Sequence, residues 1–211
     1  MRREIISTCR ELVRRGLNQG TAGNVSVRLR DGFLVTPTGL PYDEMRPEDL
    51  VRMDFRGGHR GKREPSSEWR LHLDVYRRRP EVGAVIHTHS GYATTLACLR
   101  RSIPAFHYMM AFFGGNDIRC CDYATYGTQE LSDLVVEALK DRQAALMGNH
   151  GLIVLGADLK RALALTVEAE TLAMMYWRAL QVQEPVILPD AEISRVRRKA
   201  AAAGYGARSR S

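Results

Sequence analysis

The chain has 211 residues, 45% of them hydrophobic and 26% charged, the balance of an ordinary globular protein with a substantial core. No apolar run approaches the roughly 18 residues that a membrane span needs. The net charge of +7 invites a nucleic-acid partner, but only 4 of the 31 basic residues are lysine and the arginines are not interleaved with aromatic residues. No nucleic-acid motif accompanies the charge, and a basic surface would equally steer small phosphorylated ligands. Neither nucleic acid nor membrane is expected as a partner.

In chain order, the charged opening MRREIISTCRELVRRG lacks the apolar stretch and cleavage site of a signal peptide. It reads as an amphipathic helix with Ile5, Ile6, Cys9, Leu12 and Val13 on one face, ending near Gly16 to Gly20. VSVRLRDGFLVTP alternates around Asp31-Gly32 and predicts a β-hairpin. SEWRLHLDVYRRRP reads as a helix stopped by Pro80, leading into the apolar strand GAVIHTHS. SGYATTLACLR and TQELSDLVVEALK are helical, the latter with Leu131, Leu134, Val135 and Ala138 inward. AALMGNHGLIVLG reads as two short buried strands around a turn. A long helix follows with Asp158 as N-cap, and the last segment is helical from Asp190 to Gly204.

Strands and helices mix without regular βαβ alternation, which predicts an α/β protein with a mixed sheet between helical layers. It is not a doubly wound Rossmann fold, since GTAGN precedes a strand and lacks GxGxxG spacing. No linker separates domains, so a single domain over 1–211 is expected, with 206–211 a flexible tail. Cys9, Cys98, Cys120 and Cys121 form no CxxC pair, so free thiols and a cytoplasmic location are expected.

His87 and His89 are two apart, so on a strand both imidazoles leave the same face. His150 sits in a matching context, at the end of a buried strand before a glycine. Three neutral imidazoles with an open position suit a catalytic metal. Spacing alone leaves open two satisfied structural histidines. Of the others, His59 is expected in solvent, and His72 on a buried helix face with Trp69, Leu73 and Tyr76.

PSSEWR offers Ser66 or Ser67 as N-cap of a helix whose first turn could bind phosphate. Glu68 follows too closely to complete a capping box, leaving its carboxylate available for acid–base work. These six residues fit ordinary capping serines and a helix-dipole glutamate at least as well. Asn24 and Thr38 lie beside glycines in turns able to cradle a phosphate, although each alone is only a turn.

Taken together, GLNQGTAGNVSVR, TPTG, PSSEWR, HTH, IPAFHYMM, YATYGT and NHGLI resemble the class II aldolase/adducin-type family, in register from about residue 3 to residue 180. The resemblance implies a three-layer α/β/α fold around a mixed, largely antiparallel sheet. It implies Zn²⁺ on His87, His89 and His150, with Mn²⁺ or Co²⁺ also able to occupy three imidazoles. Glu68 matches the family's catalytic acid/base. Asn24, Thr38, Gly39, Ser66 and Ser67 match its phosphate site, and Tyr108 matches a tyrosine donated by the neighbouring subunit. The implied assembly is a homotetramer with active sites at subunit interfaces.

The implied reaction is reversible cleavage of a ketose 1-phosphate to dihydroxyacetone phosphate and an aldehyde. No lysine sits in a motif suited to the Schiff-base alternative. Two departures bear on the aldehyde: Phe112 and Phe113 stand where the family often has small residues, and Tyr126 stands where its fuculose-phosphate enzymes usually carry phenylalanine. Tyr205 could match a tail tyrosine that closes the family site. The departures leave L-fuculose 1-phosphate, 5-deoxyribulose 1-phosphate and 5-methylthioribulose 1-phosphate as substrates. Alternatives on the scaffold are a pentulose-phosphate 4-epimerase, which usually has aspartate at the Glu68 position, and a methylthioribulose-1-phosphate dehydratase. An adducin-like interaction module would not need the three histidines and Glu68 that this chain retains.

Overall fold

A computed structural model describes residues 1–204; Tyr205 and the 206–211 tail lie outside the described residues. The elements in chain order are α1 (Arg2–Arg14), β1 (Asn24–Leu29), β2 (Gly32–Val35), β3 (Val51–Asp54), β4 (His59–Arg60), α2 (Trp69–Arg78), β5 (Ala84–Thr88) and α3 (Gly91–Cys98). Then come β6 (Ile103–Pro104), β7 (Asp117–Cys121), α4 (Gln129–Ala138), β8 (Ala144–Met147), β9 (Gly151–Gly156), α5 (Leu159–Leu180) and α6 (Asp190–Ala202). Tyr108–Phe113 forms a 3₁₀ segment.

The strands make one nine-stranded sheet in the order β4-β3-β2-β1-β5-β9-β8-β7-β6. Only β7 and β8 pair in parallel, so the sheet is mixed and largely antiparallel, as expected. β5, β8 and β9 are buried at every position, because helices cover both faces. Val85, Ala145, Met147, Ile153 and Leu155 face α2 and α4. On the other face, Ala144, Leu146, Leu152 and Val154 meet α3 and α5, and Ala84 and Ile86 meet α1. Each fully buried Val, Leu, Ile or Met side chain among them contributes about 1.5–3 kcal/mol of transfer free energy, so these central strands hold the three layers together.

The hairpin is present, but its turn falls on Arg30-Asp31 and Gly32 already pairs with Asp54 across β3. Glycine is needed there for close approach: a Cβ would stand 1.9 Å from the Met53 carbonyl oxygen. In α1, Ile5, Ile6, Cys9 and Leu12 are buried as expected, whereas Val13 is exposed. The N-cap of α2 is Glu68, neither Ser66 nor Ser67; Ser66 Oγ instead accepts from the Glu68 N–H at 3.3 Å. The Glu68 carboxylate makes no cap bond, so it stays free by a different route from the one its spacing suggests. Asp158 caps α5 as read, accepting from the Arg161 N–H at 2.7 Å. Among the described residues, no helix is long and apolar enough to cross a membrane.

Candidate active site

The register of the central strands assembles the site. Asn24 at the start of β1 lies opposite His87 near the end of β5, and β9 runs antiparallel along the other edge of β5. His89 lies one residue beyond β5, and His150 lies in the turn between β8 and β9. The three imidazoles stand with ring centroids 4.8–5.0 Å apart and planes crossed at 71–76°. Their potential ligand atoms, one from each ring, lie within 4.8 Å of one another.

A divalent cation fits this arrangement. Tetrahedral zinc with bonds of about 2.0–2.1 Å separates its ligand nitrogens by roughly 3.3 Å, and the His87 and His89 Nε2 atoms are 3.0 Å apart. His87 Nδ1–H donates to the Leu152 carbonyl at 3.0 Å, which turns Nε2 toward the other rings and orients it as second-shell partners of metal histidines do. Gly151 makes room for the cluster: a Cβ there would lie 2.4 Å from the Thr88 carbonyl oxygen and 3.1 Å from atoms of both the His87 and His89 rings. Asn18, buried in the loop before β1, accepts from the His89 N–H at 3.0 Å and pins the second ligand's backbone.

Glu68 enters from the start of α2. Its Oε2 lies 3.2 Å from His87 Nε2 and accepts from Asn24 Nδ2 at 3.0 Å. Its Oε1 is buried without a hydrogen-bond partner, 3.4 Å from His150 Nε2. Burial alone would raise this carboxyl, but His87, His150 and Asn24 outweigh it and hold it well below the usual carboxylate range. Burial alone would likewise lower His87, yet the Glu68 carboxylate raises it above the ordinary imidazole value. Burial, followed by repulsion from His87, brings His89 and His150 down to about 4. Three imidazoles and one unpartnered carboxylate oxygen therefore converge.

Around that point lies a cavity of about 340 Å³. It is lined by Asn24, Thr38, Gly39, Ser66, Ser67, Glu68, His89, His150 and Tyr126, which the sequence had singled out separately. Tyr123 and Asn149 also line it, and sequence reasoning missed both. Asn149 holds a left-handed φ of 52° in the turn that presents His150, and its Oδ1 accepts from Arg100 Nε at 2.7 Å. The motif NHG, which already flagged His150, carried this signal as well.

Phe112 and Phe113 do not line this cavity. Phe113 is fully buried in the core and cannot line a substrate pocket. In a 3₁₀ segment residues i and i+3 stack, so Met110 and Phe113 both turn inward. Phe112 lines a separate groove of about 790 Å³ against α5 and α6, where Arg161 stacks over its ring at 5.8 Å. Tyr108 lines that same groove, is 51% exposed, and is not among the residues lining the cavity beside the histidines. His107 caps the 3₁₀ segment by accepting from the Met109 N–H at 3.3 Å.

Comparison with known proteins identifies the family and the fold. Residues 3–177 match the family described as class II aldolase and adducin N-terminal domain. A 5-methylthioribulose-1-phosphate/5-deoxyribulose-1-phosphate aldolase of Rhodospirillum rubrum is 53% identical over 199 residues, covering 94% of this chain and 90% of that protein. The L-fuculose phosphate aldolase of Escherichia coli K12 is 50% identical over 198 residues, covering 93% and 92% respectively. A solved L-fuculose 1-phosphate aldolase structure superposes with a TM-score of 0.92 at 41% identity, covering 95% of each chain.

Proposed function

This chain belongs to the class II aldolase and adducin N-terminal domain family, and on that premise we propose that it cleaves a ketose 1-phosphate reversibly into dihydroxyacetone phosphate and an aldehyde. It is an aldolase, a carbon–carbon lyase of a metal-dependent family, and its histidine cluster could hold the metal. The observation that carries the reaction is the unpartnered Glu68 Oε1 beside three convergent imidazoles in a cavity walled by hydroxyls.

His87, His89 and His150 are the residues that would hold the cation, proposed as zinc. When bound, such a cation supplies Lewis-acid polarisation of the substrate's carbonyl and adjacent hydroxyl oxygens. Thr38, Gly39, Ser66, Ser67 and Asn24 hold the phosphate at one end of the cavity and fix the reacting geometry. Loss of the C4 hydroxyl proton lets the C3–C4 bond break, its electron pair staying on C3. Glu68 Oε1 removes the C3 proton of dihydroxyacetone phosphate in condensation. In cleavage the proton lost from the C4 hydroxyl is balanced by one that the Glu68 carboxylate takes up from solvent and delivers to C3. Tyr108 exchanges the C4 oxygen's proton in the site of a neighbouring subunit, a role supported by its exposure and by its absence from the lining of its own chain's cavity. That role requires an oligomer, proposed as a homotetramer. A cytoplasmic setting is supported by four cysteines present as free thiols.

For the aldehyde end, 5-methylthioribulose 1-phosphate and 5-deoxyribulose 1-phosphate are proposed ahead of L-fuculose 1-phosphate. Support comes from Tyr126 at the cavity and from the naming of the Rhodospirillum rubrum relative. Comparing kcat/KM across the three ketose phosphates tests the order, and a clear preference for fuculose phosphate would defeat it.

A further inference from the structure

A stripe of buried polar side chains runs from the site inward between α2 and β1. Glu68, His72 and Tyr76 are spaced by four residues and therefore share one side of α2. Asn24 and Ser26 are two apart on β1 and share the sheet face toward it. The two rows interlock. Tyr76 OH meets Ser26 Oγ at 2.8 Å, Ser26 Oγ meets His72 Nδ1 at 2.6 Å, His72 Nε2 meets Asn24 Oδ1, and Asn24 Nδ2 meets Glu68 Oε2 at 3.0 Å. Ser26 and His72 are wholly buried, Tyr76 and Asn24 nearly so.

The bonding roles in this chain follow from its far end. A carboxylate can only accept, so Asn24 must donate through Nδ2 and accept through Oδ1. His72 must then donate through Nε2–H. Burial pushes this imidazole down to about 3, so it is neutral and its Nδ1 accepts. Ser26 therefore donates to His72 and accepts from Tyr76. Every donor in the row points toward Glu68, an alignment in which successive bonds polarise one another. It also holds Oε2 as the accepting oxygen and leaves Oε1 without a partner, 3.4 Å from His150 Nε2.

We infer that His72 is a positioning residue: locked in its Nε2–H tautomer by Ser26, it fixes the Asn24 amide and thereby decides which Glu68 oxygen is free to carry the proton. The inference rests on the proposed role of Glu68, but its first test does not. In ¹⁵N-histidine-labelled, zinc-loaded protein at neutral pH, with the His72→Leu spectrum assigning the signal, His72 should show a protonated Nε2 and a bare Nδ1. The opposite tautomer or an imidazolium would overturn it.

Turnover supplies the second test. His72→Leu should lower kcat about a hundredfold, the cost of a misplaced catalytic group, while KM and bound metal stay near the parent values. His72→Gln, which returns a donor where Nε2 stood, should regain most of the loss. A His72→Leu chain with parental kcat, or a Gln variant as impaired as the Leu variant, would overturn the positioning role. Normal turnover in Glu68→Gln would sink the reading of Glu68 and leave the tautomer result standing, so the two failures are distinguishable.

Discussion

The Glu68 carboxylate lies 3.2 Å from His87 Nε2, so the group proposed to move a proton touches one proposed to hold the metal. Replacing Glu68 by glutamine keeps the shape and removes the base. Zinc content and thermal stability should stay close to those of the parent, while cleavage falls by about 10²–10⁴-fold, the usual range for a positioned acid–base group. Metal analysis beside a coupled assay for dihydroxyacetone phosphate reads both quantities. Near-normal turnover would place the proton shuttle elsewhere.

A Cβ at Gly151 would stand 2.4 Å from the Thr88 carbonyl oxygen and 3.1 Å from atoms of the His87 and His89 rings. In Gly151→Ala the new methyl group displaces either the Thr88 carbonyl or the rings. Metal affinity, measured by competition with a chelator, should fall by about 10–100-fold, as for other changes that disturb ligand orientation. Unchanged affinity would mean that the two rings tolerate displacement.

Much of this site was legible because its signals are local. HTH on a strand, Asn24 and Thr38 beside glycines, and the SSE run each showed functional groups without any knowledge of packing. What escaped depends on tertiary contacts. Phe113 looked like a pocket residue until the 3₁₀ segment turned it inward. β6 and β7 were not read at all, since two and five residues with no clean alternation become strands only by pairing with each other and with β8. The partners of His72 were hidden for the same reason. Its burial was foreseen, but bonds to Asn24 and Ser26 span nearly fifty residues.

In the metal-free protein, acid should weaken the fold before it reaches the range of ordinary carboxylates. His72 near 3, and His89 and His150 near 4, remain neutral when folded, whereas in the unfolded chain each takes a proton below its ordinary value of about 6.5. Unfolding therefore takes up protons, and each such histidine removes about 1.4 kcal/mol of stability per pH unit well below 6.5. His87 is shifted the opposite way and does not add to this loss, because it is protonated in both states there. Urea midpoints should drop between pH 7 and pH 5; a flat profile would contradict the buried, neutral state of these rings.

Ser67 lines the cavity from an exposed loop position and is proposed to bind the phosphate. A hydrogen bond to a charged group contributes about 1.5–3 kcal/mol, so Ser67→Ala should lower kcat/KM for a ketose 1-phosphate by roughly tenfold or more. The same variant should act on the unphosphorylated sugar as the parent does. An equal loss on both substrates would assign Ser67 to another task.

Tyr108 serves a neighbour's site in this account, so two crippled chains should complement each other. Glu68→Gln and Tyr108→Phe chains, each nearly inactive alone, are mixed, unfolded and refolded together. In equal mixture about a quarter of the interface sites receive both intact groups, and activity should return toward that fraction. No recovery despite mixed oligomers would return Tyr108 to a role outside catalysis.

The central claim is that the three-histidine cluster holds the metal on which carbon–carbon cleavage depends. The most direct measurement is dihydroxyacetone phosphate release from 5-methylthioribulose 1-phosphate by chelator-stripped protein as zinc is added back. The account predicts no release without metal, a rise to a plateau at one zinc per chain, and no response in His150→Ala. Full release from the stripped protein, or a zinc-loaded protein that releases none from any of the three ketose phosphates, would contradict it.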